Sequence, residues 1–110
     1  MNINKLIIST LSFLNIPITY LIYSGSESTY ITFFESNNYG EDYSDDIEEI
    51  EVHSIQIDLF TKKDPKELEK KINEALKNKF SGVEYQELYE SDTKLHHICF
   101  RCYFYEFKEE

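Results

Sequence analysis

Apolar residues recur along this chain at two periods, and the switches between them divide it into elements. Ile3, Leu6, Ile7, Leu11 and Leu14 fall on one helical face. The spacing predicts a helix over 2–14, ending before Pro17 because Ile16, the residue ahead of the proline, is steered out of the helical region. Residues 17–23 (PITYLIY) have the composition of a short extra strand, the Ser24-Gly25-Ser26 cluster predicts a turn, and residues 29–34 (TYITFF) predict a strand of β-branched and aromatic residues. Over 50–61, His53, Ile55, Ile57 and Leu59 alternate with Ser54, Gln56 and Asp58, so a second strand is expected. Ile50 and Val52 fall on the other parity, which predicts a bulge or twist near His53.

A second helix is announced by its punctuation. Asp64 is placed to cap it, Pro65 suits its first position and Glu67 completes a capping box, while Leu68, Ile72, Ala75, Leu76 and Phe80 form a buried stripe and Gly82 is expected to end it. Two strands over 83–89 and 95–107 then form a hairpin about the turn Ser91-Asp92-Thr93. The order helix, strand, strand, helix, strand, strand predicts an α+β fold, a single domain over 1–110 with a small, mixed, largely antiparallel sheet and two helices packed on one face. In the last strand both parities are apolar: Leu95, Cys99, Tyr103, Tyr105 and Phe107 on one, Ile98, Phe100, Cys102 and Phe104 on the other. A strand apolar on both sides in so small a domain implies that its second face meets another subunit, with Phe104 and Tyr105 as interface candidates.

Charge changes the picture at one place. Residues 35–51 hold eight carboxylates and no Lys or Arg, which leaves the rest of the chain nearly balanced at 13 acidic against 11 basic residues. A run of this kind repels itself and stays solvated, so it reads as an acidic loop at about 36–49 between two strands, carrying Glu41, Asp42, Asp45, Asp46, Glu48 and Glu49. The net charge of −10 argues against binding a phosphate backbone, which takes Lys and Arg to displace counterions. The lysines of the second helix interleave with Glu67, Glu69 and Glu74 as on an ordinary solvated helix face. Nine Tyr and eight Phe are many for this length and suit a subunit that buries surface against others. Lys5 followed by an apolar run has the look of a short secretory signal, but no small-x-small cleavage site follows and the apolar spacing is helical. An amphipathic helix in an intracellular protein, with no membrane partner, is the expectation.

Each candidate for chemistry meets a simpler reading. His96-His97-x-Cys99-x-x-Cys102 has the ligand types and spacing of a zinc site, yet it lies within a predicted strand, where two cysteines three apart point to opposite faces and neither close a disulfide nor share a metal. A redox pair needs a helix start to lower a thiol pKa, and none is at hand. Cys99 with His53 or His96 as base lacks an oxyanion hole or glycine-rich turn in a chain with three glycines. The acidic run does not follow the alternation of a calcium loop, with Gly40 too early for its central turn. No catalytic residue, cofactor or metal is therefore expected from these patterns.

Several segments in order carry a family resemblance. The YITFFE strand (30–35), the HSIQIDLF strand (53–60) and the hairpin LYE-x-D-T-K (88–94) leading to HH-x-x-F-R (96–101), with Ile16-Pro17-Ile18 and the acidic loop between, resemble small tail-completion proteins. These tail-terminator or head–tail joining proteins belong to bacteriophages and phage-tail-like particles of Gram-positive hosts. The resemblance covers nearly the whole length. It implies a virion protein of the tail or neck, assembled in the host cytoplasm. Such a protein forms a homo-oligomeric ring, usually a hexamer, that ends the tail tube and meets both the tube protein and a head-side connector or stopper. Glu41, Asp42, Asp45, Asp46, Glu48 and Glu49 would then face the lumen and repel passing DNA. The competing reading is an acidic binding module that mimics DNA toward a host nucleic-acid-binding protein. Such a mimic spreads its carboxylates over an ordered face, whereas here they are gathered in one run.

Overall fold

The computed structural model describes residues 2–40 and 50–107, and the side chains of 37–40 are left aside. Helix α1 (Ile3–Leu11) starts at Asn2, whose side-chain oxygen accepts the Lys5 N–H at 3.1 Å. It tightens into a single 3-10 turn at Ser12–Leu14, and Asn15 closes it in the left-handed region at φ 57°, its N–H bonding the Ser12 carbonyl. The helical span thus ends ahead of Pro17 where the spacing predicts, with its last turn 3-10 instead of α.

The chain then gives β1 (Ile18–Tyr20), β2 (Tyr30–Gly40), β3 (Ile50–Thr61), α2 (Lys66–Lys79), β4 (Ser81–Glu90) and β5 (Leu95–Phe107). The fold is α+β, with one five-stranded mixed sheet in the order β1-β2-β3-β5-β4 and two helices. Only β1 and β2 run parallel, Ile18 beside Ile31; the other pairs are antiparallel. The segment 17–23 therefore does add a strand, of three residues.

Strand β2 runs on to Gly40, which pairs with Glu51, so the ladder extends into what reads as acidic loop. Positions 41–49 lie outside the described residues. The irregularity expected near His53 is carried by β2: Ser36 is the extra residue, since Glu35 pairs with Ile55 and Asn37 with Ser54. Its hydroxyl bonds the Ser54 carbonyl and hydroxyl at 3.1 and 3.0 Å. Strand β3 keeps its parity throughout.

Burial follows strand parity. Ile31 and Phe33 of β2, Ile55, Ile57 and Leu59 of β3, and Ile98, Phe100 and Cys102 of β5 join Ile3, Ile7 and Leu11 of α1 and Ile72 and Leu76 of α2 in one core. Removing this apolar area from water is the principal force holding the layers together. We call this parity the core side of the sheet and the other the far side.

The N-cap of α2 is Pro65, one residue later than expected; the Asp64 carboxylate ahead of it accepts the Lys66 N–H at 3.1 Å, and Glu67 pairs with Lys71 one turn on at 3.4 Å instead of closing a capping box. Gly82 does not end the helix. It sits at φ +60° in a bulge between the Ser81–Tyr103 and Glu84–Arg101 pairs, and a Cβ there would stand 3.0 Å from the Tyr103 ring. The helix ends earlier, at Phe80, which is extended and buried in the core. No helix among the described residues is long and apolar enough to cross a membrane.

Candidate functional site

The far side of the sheet is where aromatic residues collect outside the core. Register places Tyr30, Phe60 and His97 in one row across β2, β3 and β5. They stack in sequence: Tyr30 on Phe60 at 5.0 Å between centroids and Phe60 on His97 at 4.3 Å, with Tyr23 added on the outer flank of Tyr30 at 4.3 Å. Burial raises the Tyr30 hydroxyl pKa, and the nearby Glu90 and Tyr23 add to that effect. The lower part of the face, on β5, carries Tyr103, Tyr105 and Phe107, of which Phe107 is 70% exposed.

Polar groups between these aromatics are held by one another. His97 Nε2 lies 2.8 Å from an oxygen of the buried Asp58, and its Nδ1 lies 3.3 Å from Glu90. The Gln56 amide donates to the same Asp58 carboxylate. Cys99 follows on β5, its thiol pKa raised by burial and by Asp58 against the opposing pull of Arg101. Gln56, Gln86, Leu88, His97, Cys99 and Arg101 line a shallow groove of about 400 Å³.

The cysteine–histidine cluster of the sequence is divided by strand parity. Cys99 and His97 face the far side, whereas Cys102 is fully buried in the core. Burial pushes the Cys102 thiol up to about 12, so it stays protonated at neutral pH. His96 stands beside Glu87 at 3.6 Å, and His53 lies at the opposite end of the ladder, so neither is placed as a base for Cys99.

Phe104 and Tyr105 are divided in the same way. Phe104 is half-buried, packs against the core and meets Phe80 edge-on at 5.9 Å; Tyr105 is on the far side and 43% exposed. Glu41, Asp42, Asp45, Asp46, Glu48 and Glu49, expected at a lumen, lie outside the described residues.

A second polar cluster, not anticipated from the sequence, lies on the core side where the sheet extends past the helices. His53 is buried between two carboxylates: Nδ1 is 2.5 Å from Glu35 and Nε2 is 2.9 Å from Glu106. Burial lowers its pKa, but the hydrogen bonds to Glu35 and Glu106 and the negative charges of Glu35 and Glu51 outweigh that and leave it raised. Glu51-x-His53 shows that two of these residues share a strand face, but only the register brings Glu106 and Glu35 to them.

No protein-family model and no curated protein matches the chain.

Proposed function

We propose that this protein is a structural subunit of a phage or phage-tail-like particle. It assembles through the far side of its sheet into a ring, hexameric in keeping with the resemblance, that ends the tail tube and meets the head-side connector. The observation that supports self-association best is the far face itself. It carries aromatic residues at both ends, the stacked Tyr30, Phe60 and His97 at one and the exposed Tyr105 and Phe107 at the other, more than the polar, solvated second face expected of a small antiparallel sheet would hold. Aromatic residues on a rigid sheet bury large areas at little cost in side-chain entropy, which suits a repeated subunit contact.

The role at the tube end rests on the resemblance of the YITFFE, HSIQIDLF and LYE-x-D-T-K segments. The long β2–β3 hairpin agrees with it. The hairpin stays paired from Tyr30–Phe60 out to Gly40–Glu51, and β3 and β5 stay paired out to Ile50 and Phe107, beyond the last core residues. An arm of this kind can reach a ring lumen while the core sits in the rim.

The test is native mass spectrometry of the protein alone and mixed with polymerised tail tube, followed by negative-stain imaging of the tube ends. Rings, or caps at one end of the tube, are expected. A strict monomer that ignores the tube overturns the proposal and returns the question to an acidic module with a basic partner.

A further inference from the structure

We propose that Glu51, His53 and Glu106 bind one divalent transition-metal ion, with Glu35 orienting the histidine. One ligand atom from each of the three lies within 4.8 Å of the other two. Strand geometry produces this convergence: Glu51 and His53 are two apart on β3 and share a face, and the ladder sets Glu106 directly opposite Glu51.

The histidine is set for the task. Its Nδ1 is 2.5 Å from Glu35 and its Nε2 is 2.9 Å from Glu106, so an ion taking Nε2 as ligand displaces the proton shared there with Glu106, while Nδ1–H stays on Glu35. Two ligands held about 2.1 Å from a tetrahedral ion stand about 3.4 Å apart, so an opening of about half an ångström admits one. A carboxylate behind a ligating imidazole is the arrangement that fixes ring and tautomer in metal sites. His53 itself is 5% exposed, while the cluster opens on a recess bounded by Asn2, Ile3 and Asn4 at the start of α1, which provides an entry path.

The donor set selects the ion. One imidazole with carboxylates suits Zn²⁺ or Mn²⁺, with Zn²⁺ the tighter, and supplies too few oxygens for the six to eight that Ca²⁺ takes. The site is independent of the assembly role proposed above.

The experiment is titration calorimetry of the full chain with Zn²⁺, and with Mn²⁺ and Ca²⁺ for comparison, together with thermal melts. A single saturable Zn²⁺ site that raises the melting temperature is expected, with Mn²⁺ weaker and Ca²⁺ weaker still. It should disappear in His53→Ala and in the near-isosteric Glu106→Gln, whose fold is checked by circular dichroism, and weaken about 10- to 100-fold in Glu35→Gln. It should persist when Asp45, Asp46, Glu48 and Glu49 are changed to Asn or Gln. Absence of saturable Zn²⁺ binding overturns the proposal. So does binding that survives Glu106→Gln but is lost with the acidic run, because the ion would then sit on that run.

Discussion

His53 and His97 stand on opposite faces of one sheet, each with its two ring nitrogens set between two carboxylates, yet their surroundings differ. His53 is buried at the foot of the hairpin arm, between Glu35 and Glu106, with Glu51 beside it. His97 lies on the far face, stacked flat on Phe60, with Asp58 on one side and Glu90 on the other. The first histidine ties three strands together beneath a recess at the start of α1; the second is part of an aromatic row. The same contrast divides β5 as a whole, where neighbouring residues belong to different layers.

The largest effect should separate the two faces. Phe100→Ala removes a fully buried ring from the core and should cost about 3–5 kcal/mol in urea denaturation, whereas Tyr105→Ala on the exposed far side should change monomer stability by less than about 1 kcal/mol. Equal losses would mean that the far face is as closely packed as the core. A sharper version uses neighbours. Phe104→Asp puts a charge against Phe80 and the core and should unfold or severely weaken the monomer, while Tyr105→Asp should leave the monomer folded and dissolve oligomers, read by circular dichroism and light scattering. Intact oligomers in Tyr105→Asp would remove the far face from the contact.

The histidines themselves should differ by less. His53→Ala leaves Glu35 and Glu106 facing each other at a largely buried position and should cost about 2–3 kcal/mol, against about 1 kcal/mol for His97→Ala, whose partner Asp58 retains the Gln56 amide. A smaller effect is the pH response, measured in EDTA to keep metal away. The folded-state pKa of His53 is raised above its ordinary 6.5, so its charged contacts contribute in full below about pH 6.5 while the carboxylates remain ionised, and that contribution is lost as pH rises through the higher folded value. His53→Gln should flatten this part of the stability profile; an unchanged profile would assign the slope to another group. Smallest of all, Cys102 should resist iodoacetamide at pH 8 in the folded protein and react only on unfolding, because its thiolate does not form until about pH 12.

Much of the architecture was legible from local patterns. The alternation from His53 to Leu59 and the stripe Leu68, Ile72, Leu76 after Asp64-Pro65 are period signals that burial enforces, and both elements stand where those signals place them. Gly82 was misleading because a glycine after a helical stripe and a glycine in a strand bulge answer the same need for positive φ, and only the register against Tyr103 distinguishes them. The hairpin was longer than its composition suggests, since backbone pairing with β3 holds residues 37–40 in a ladder whatever their side chains prefer. The His53 cluster was half visible: Glu51-x-His53 lies on one strand face, but nothing local connects it to Glu106.

By itself, then, the sequence determined the α+β class, the helical and strand periods and the gathering of charge between residues 35 and 51, because each depends on spacing along one segment. Only the tertiary structure decided that β3 lies between β2 and β5. That placement brings Glu35, His53 and Glu106 together at one end of the sheet and Phe60, His97 and Asp58 together on its far face. The physical reason is that a strand's period assigns its residues to two faces, while the partner that meets each face is chosen by the packing of the whole core.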